Sequence, residues 1–105
     1  MTNTSTVATD INIGCNGWSG TTSWTYGAAG ADTAQLNSSA TQGGAGGSGG
    51  AGLYDVTVPN GSTALLCDAL AATTDFAWEL ELETPNSFSH GDQQTTTVTI
   101  TAAAD

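Results

Sequence analysis

Ser89-His90-Gly91-Asp92 gathers a hydroxyl, an imidazole and a carboxylate, the residue types of nucleophilic catalysis, within one short stretch. A working triad needs those groups to converge from separate segments beside an oxyanion site. Neighbours in a turn point in different directions, and Gly91-Asp92 suits turn geometry, so residues 89–92 are read as a corner. Cys15 and Cys67, the only two cysteines, have one histidine to join them, too few soft ligands for a four-coordinate zinc site. Two readings of the pair stay open: two buried thiols, or a disulfide closing a loop of about fifty residues, worth roughly 3–4 kcal/mol on the chain-entropy argument. Calcium takes six to eight oxygen ligands, often from D-x-D-x-D-G loops, and no such loop is present. Asp75 or Asp92 would have to be helped by backbone carbonyls. The sequence predicts no catalytic residue, no cofactor and no metal site.

A third group is more orderly. In FAWELELET, residues 76–84, Phe76, Trp78, Leu80 and Leu82 alternate with Glu79, Glu81 and Glu83. On a strand, successive carboxylates on one face stand about 7 Å apart, too far for all three to share one ion. Repeated like charge on a strand discourages pairing with a second copy. The stripe Glu79, Glu81 and Glu83 is therefore expected to face solvent, with a basic partner surface as the alternative.

Composition sharpens the question. The 105 residues include no lysine and no arginine against 10 acids, a formal charge of −10, with only 10% charged and 38% hydrophobic residues. Without those cations there is no counterion-release binding of nucleic acid, no Schiff-base amine and no phosphate clamp. Net negative charge repels anionic lipid, and no apolar run is long enough to span a bilayer as a helix. Nucleic acid and membrane are thus excluded as expected partners. The start, MTNTSTVATD, lacks the basic-then-apolar pattern of a secretory leader. A chain not exported by that route is expected, or one whose leader has been removed. Sequons occur at Asn3, Asn37 and Asn60, as chance allows in a chain this rich in Asn, Ser and Thr.

The elements that would position these groups are mostly strands. TVATDINIGC, 6–15, places Val7, Ile11, Ile13 and Cys15 on one parity and ends at Asn16-Gly17. TTSWTYG, 21–27, is a second candidate strand, whereas 28–42 has no firm period and is read as irregular. LYDVTVP, 53–59, alternates and stops at Pro59 before an Asn60-Gly61 turn. Ser62 looks like the cap of a short α-helix over 63–72, with Leu66 and Leu70 one turn apart. FAWELELET is the strongest strand, and TTTVTITA, 95–102, is the last, with Val98 and Ile100 inward and threonines outward. GGAGGSGGAG, 43–52, is a Gly-rich loop by composition, or else an ordered glycine strip packed closely by another surface. The expected fold is one mainly β domain over 1–105, an antiparallel β-sandwich or small barrel with the short helix near 63–72.

From residue 73 onward, TTDFAWELELETPNSFSHGDQQTTTVTITA resembles the closing hairpin of immunoglobulin-like modules. The shared elements are an alternating strand, a proline-led corner with Phe88 and Gly91-Asp92, and a final Thr-Val-Thr-Ile-Thr strand. Such modules recur in bacterial surface proteins and tailed-phage virion proteins. The first 60 residues lack the antibody pattern, and there is no Cys-Trp-Cys spacing. Within that group, the acidic, Thr/Gly-rich make-up and bare methionine start look like phage head decoration (cement) proteins. That resemblance implies an immunoglobulin-like sandwich, a non-enzymatic role on the virion surface and the major capsid protein as partner. It also implies a homo-oligomer, often a trimer. An extracellular adhesion or filament subunit, pairing through 95–102 or the N-terminal segment, is the alternative.

Overall fold

The computed structural model describes residues 1–42, 47–48 and 56–105. Eight strands occur among them: β1 (Thr9–Cys15), β2 (Thr25–Tyr26), β3 (Thr33–Gln42), β4 (Gly47–Ser48), β5 (Val56–Thr57), β6 (Ala64–Leu70), β7 (Phe76–Glu83) and β8 (Val98–Ala104). One sheet runs β4-β6-β1-β8, and its neighbours are all antiparallel. In the other, β3 pairs with β2 and β5 and, antiparallel over its length, with β7. The protein is mainly β, with two sheets and, among the described residues, no helix.

Period-two alternation in β1 explains the core of the first sheet. Ile11, Ile13 and Cys15 are buried, as their parity predicts, while Val7 lies before the strand and is exposed. They meet Leu66, Cys67 and Leu70 of β6, with Leu36, Val56, Val58 and Phe76 supplied by the second sheet. Val98 and Ile100 pack on this cluster from β8, and the alternating Thr99 and Thr101 are exposed. Both Asn-Gly turns form, Gly17 and Gly61 adopting φ of 77° and 78°, a region that disfavours side chains. Gly14 is needed for a different reason: a Cβ there would lie 2.1 Å from the Ser62 carbonyl oxygen.

The helix expected over 63–72 is strand β6. Its register against β1 slips twice, so that Ile13, Asn12, Ile11 and Thr9 face Ala64, Leu65, Cys67 and Leu70. Each slip inserts an extra residue. The burial of Leu66, Cys67 and Leu70 thereby acquires a spacing that imitates a helical face. Ala69 takes the unusual φ of 49°, and its N–H donates to the Asp10 carboxylate at 2.9 Å. Residues 33–42, expected to be irregular, form β3, the longest strand. Its period was obscured because inward Ala34 and Leu36 are followed by buried Ser38, whose hydroxyl donates to the Glu79 carbonyl at 2.6 Å. The expected second strand over 21–27 shortens to β2. Tyr26 compensates: its hydroxyl accepts from Leu36 N–H at 3.0 Å and donates to Val58 C=O at 2.5 Å, completing a rung between β3 and β5. Burial first, then the neighbouring Cys15 thiol, push the Tyr26 phenol well above its usual range, against the lowering pull of the Leu36 N–H.

The expected closing hairpin does not form, since β7 and β8 belong to different sheets. Of the Gly-rich segment 43–52, only Gly47–Ser48 is described, paired with Asp68 and Cys67 of β6. The rest of that reading, with residues 53–55 of the expected strand 53–59, lies outside the described residues.

Candidate functional site

The acidic stripe is answered by amides. Antiparallel pairing sets Gln35, Asn37 and Ser39 of β3 opposite Glu83, Glu81 and Glu79 of β7. Gln35 Nε2 donates to Glu83 Oε2 at 2.7 Å, and Asn37 Nδ2 donates to Glu83 Oε2 at 3.1 Å and Glu81 Oε1 at 3.2 Å. The Ala29 N–H donates to Glu83 Oε1 at 3.1 Å. Neutral donors thus stand where lysine or arginine would be expected. The Ala29 N–H, then the Gln35 and Asn37 amides, hold the Glu83 carboxyl below its usual range, as hydrogen bonds to the charged form do. Asn37 is 8% exposed, so its donors have no ready replacement in water. Glu79 alone of the three is exposed; Glu81 and Glu83 are half-buried.

On the opposite face of β7 the expectation inverts. Leu80 and Leu82 share a face with Ser38 and Leu36, yet they are 40% and 48% exposed. Phe76 and Trp78 at the start of the strand reach the core cluster, and the leucines beyond them do not. The result is an apolar ledge on an edge strand. The first part of that edge is occupied: Met1–Asn3 pair with 74–76 through Asn3 N–H to Thr74 O and Phe76 N–H to Met1 O. Asn3 fixes this arm, its Nδ2 donating to Val7 O and Leu70 O, both at 2.9 Å. Beside the arm lies an open groove of about 400 Å³, lined by Ile11, Leu70, Phe76, Ala102 and Ala104 among others.

The corner at 89–92 does not assemble a triad. The Ser89 hydroxyl and N–H both donate to Asp32, which lowers the Asp32 pKa. His90 Nδ1 accepts from the Asp92 N–H at 3.3 Å and lies 3.4 Å from its carboxylate. Next to it an aromatic file runs outward, Tyr26, Trp18, Trp24 and Phe88, with ring centroids 5.7 to 6.0 Å apart. Trp18 Nε1 donates to Ala34 O at 2.9 Å, whereas buried Trp24 Nε1 has no hydrogen-bond partner among the described residues.

Cys15 and Cys67 are both buried thiols, so the disulfide reading fails. Cys67 pairs with Ile11, four residues before Cys15, and four residues of strand span about 13 Å. A disulfide needs Cα atoms within about 7 Å. Burial first, then the Asp68 and Asp10 charges, raise the Cys67 pKa. Asp75, weighed as a calcium ligand, accepts instead from the Thr2 hydroxyl at 2.6 Å.

Sequence reasoning missed a different acidic group. Asp10, Asp68 and Asp105 converge so that one carboxylate oxygen from each lies within 4.8 Å of the others. Asp10 was legible as outward on β1, but Asp68 was hidden in the misread helix. Mutual repulsion, from Asp10 above all, raises the Asp105 pKa. Compared with protein-family models, curated proteins and solved structures, the chain matches none.

Proposed function

We propose that this chain is a non-enzymatic structural protein that decorates and stiffens a larger assembly, a virus capsid, in the way of the head decoration proteins its last third resembles. On this reading the two sheets form an immunoglobulin-like β-sandwich, and the partner is the major capsid protein. The observation that carries it is the ledge of Leu80 and Leu82. Paired apolar side chains on an edge strand gain by burial against another protein, at about 25 cal/mol per Å². Of the neighbouring glutamates, Glu81 and Glu83 already have internal hydrogen-bond donors, so only Glu79 calls for new neutralisation. The second reading, an extracellular adhesion or filament subunit, is favoured by the open edge of β8, which is suited to strand addition.

Immunogold electron microscopy of the culture that produces the protein tests the choice. Regular labelling of capsid exteriors is expected. Label confined to cell-surface filaments would transfer the protein to the second reading, and label found only in soluble protein would overturn both.

A further inference from the structure

Strand β8 ends its sheet, and nothing among the described residues pairs with its outer edge. Which backbone groups face outward follows from one bond. Asp105 N–H donates to Ala8 O, so in the register that pairs Thr9 with Ala104 and Cys15 with Val98, residues 99, 101 and 103 also bond inward to β1. Val98, Ile100, Ala102 and Ala104 therefore turn their N–H and C=O groups to the open side.

Three properties distinguish this edge. It is seven residues long without proline, and its register against β1 runs without a slip. No carboxylate lies between Val98 and Ala104, whereas β1, β6 and β7 all carry acids. Its outward face offers small side chains, Thr99, Thr101 and Ala103, all exposed. A long, flat edge without charge invites pairing. In a chain of net charge −10, this edge offers a second copy seven residues without charge, and the Asp10, Asp68 and Asp105 cluster lies at its C-terminal end.

We infer that β8 pairs antiparallel with β8 of a second copy, joining two four-stranded sheets across a two-fold axis at Thr101. This rests on the structural reading above and names one contact within it. The register is fixed by matching every outward group: Val98 with Ala104 of the other copy, Ile100 with Ala102, and the reverse. Thr101 then faces its own equivalent as a close, non-hydrogen-bonded pair, and Thr–Thr pairs suit that position. The inward face at the seam becomes Ile100 against alanine, which is apolar. The two Asp105 carboxylates fall at opposite ends of the seam, roughly 26 Å apart or about three Debye lengths at physiological ionic strength.

The test uses the full chain at physiological ionic strength, where repulsion between copies is screened, with mass measured by light scattering and sedimentation across a concentration series. Wild type is expected to approach a dimer as concentration rises. Thr101→Lys and Thr101→Glu, each alone, place like charges opposite one another and should weaken the dimer by up to about fivefold. An equimolar mixture should restore it as a heterodimer. Ala102→Pro removes an outward N–H and should weaken pairing about tenfold. Circular dichroism confirms folding, and the Thr101 pair carries the test if the proline variant unfolds. Association unaffected by all three variants would overturn the β8 contact while leaving the assembly reading intact. A wild type monomeric at every concentration would also overturn it, and immunogold labelling would then decide the assembly reading separately.

Discussion

Strand β7 ends one sheet with Glu79, Glu81 and Glu83, and strand β8 ends the other with threonines and alanines. The first edge is charged, and two of its three carboxylates are held by β3 amides. The second carries no charge, and among the described residues its outer edge is unpaired. The difference teaches that net charge alone does not describe how such a chain meets other molecules. Three acids line β7, whereas none lies between Val98 and Ala104, the stretch inferred above to meet a second copy.

The largest expected break in this contrast comes from Asn37→Asp. A third carboxylate would replace the amide that serves Glu81 and Glu83, at a site with little access to water. Urea denaturation at neutral pH should show a loss of about 2–3 kcal/mol, shrinking as the medium is acidified.

Glu83, the last residue of β7, and Asp105, which follows β8, should also answer pH in opposite senses. The Glu83 carboxyl is depressed in the folded state, so its stabilisation is full above the ordinary glutamate pKa and is lost as pH falls through the folded value. The Asp105 carboxyl is raised, so its stabilisation is full below the ordinary aspartate pKa and is lost as pH rises through the folded value. Urea midpoints measured from about pH 2.5 to 7 should show Glu83→Gln flattening the acid-side decline. Asp105→Asn should remove part of the loss on approaching neutrality.

A smaller effect is expected from replacing Leu80 and Leu82 together by serine. Both are already substantially exposed, so stability should fall by less than about 1 kcal/mol, against about 2–5 kcal/mol for Leu66→Ala in the core. Smallest of all, Thr101→Lys should alter monomer stability by within about 0.5 kcal/mol, since its side chain is exposed.

Much of the frame was legible because β1, β7 and β8 alternate cleanly. What escaped notice has local causes. In β3 the inward positions hold small residues and a buried serine, so hydrophobic periodicity was faint. In β6 two register slips disguised period two as a helical stripe. The amide ladder was invisible because it depends on β3 meeting β7 across more than forty residues of sequence. One signal was available: Gln35, Asn37 and Ser39 repeat donors at the same two-residue interval at which Glu79, Glu81 and Glu83 repeat acceptors. The acid cluster of Asp10, Asp68 and Asp105 was hidden by the misreading of β6.

Residue-resolved amide exchange, followed by NMR at low and high protein concentration, tests the contrast most directly. On β7 the Phe76 N–H turns outward to Met1, so the alternating amides of Trp78, Leu80 and Leu82 also face out. The account predicts that Val98, Ile100, Ala102 and Ala104 gain protection as concentration rises while those three β7 amides stay fast. Protection growing on β7, or on neither strand, would contradict it.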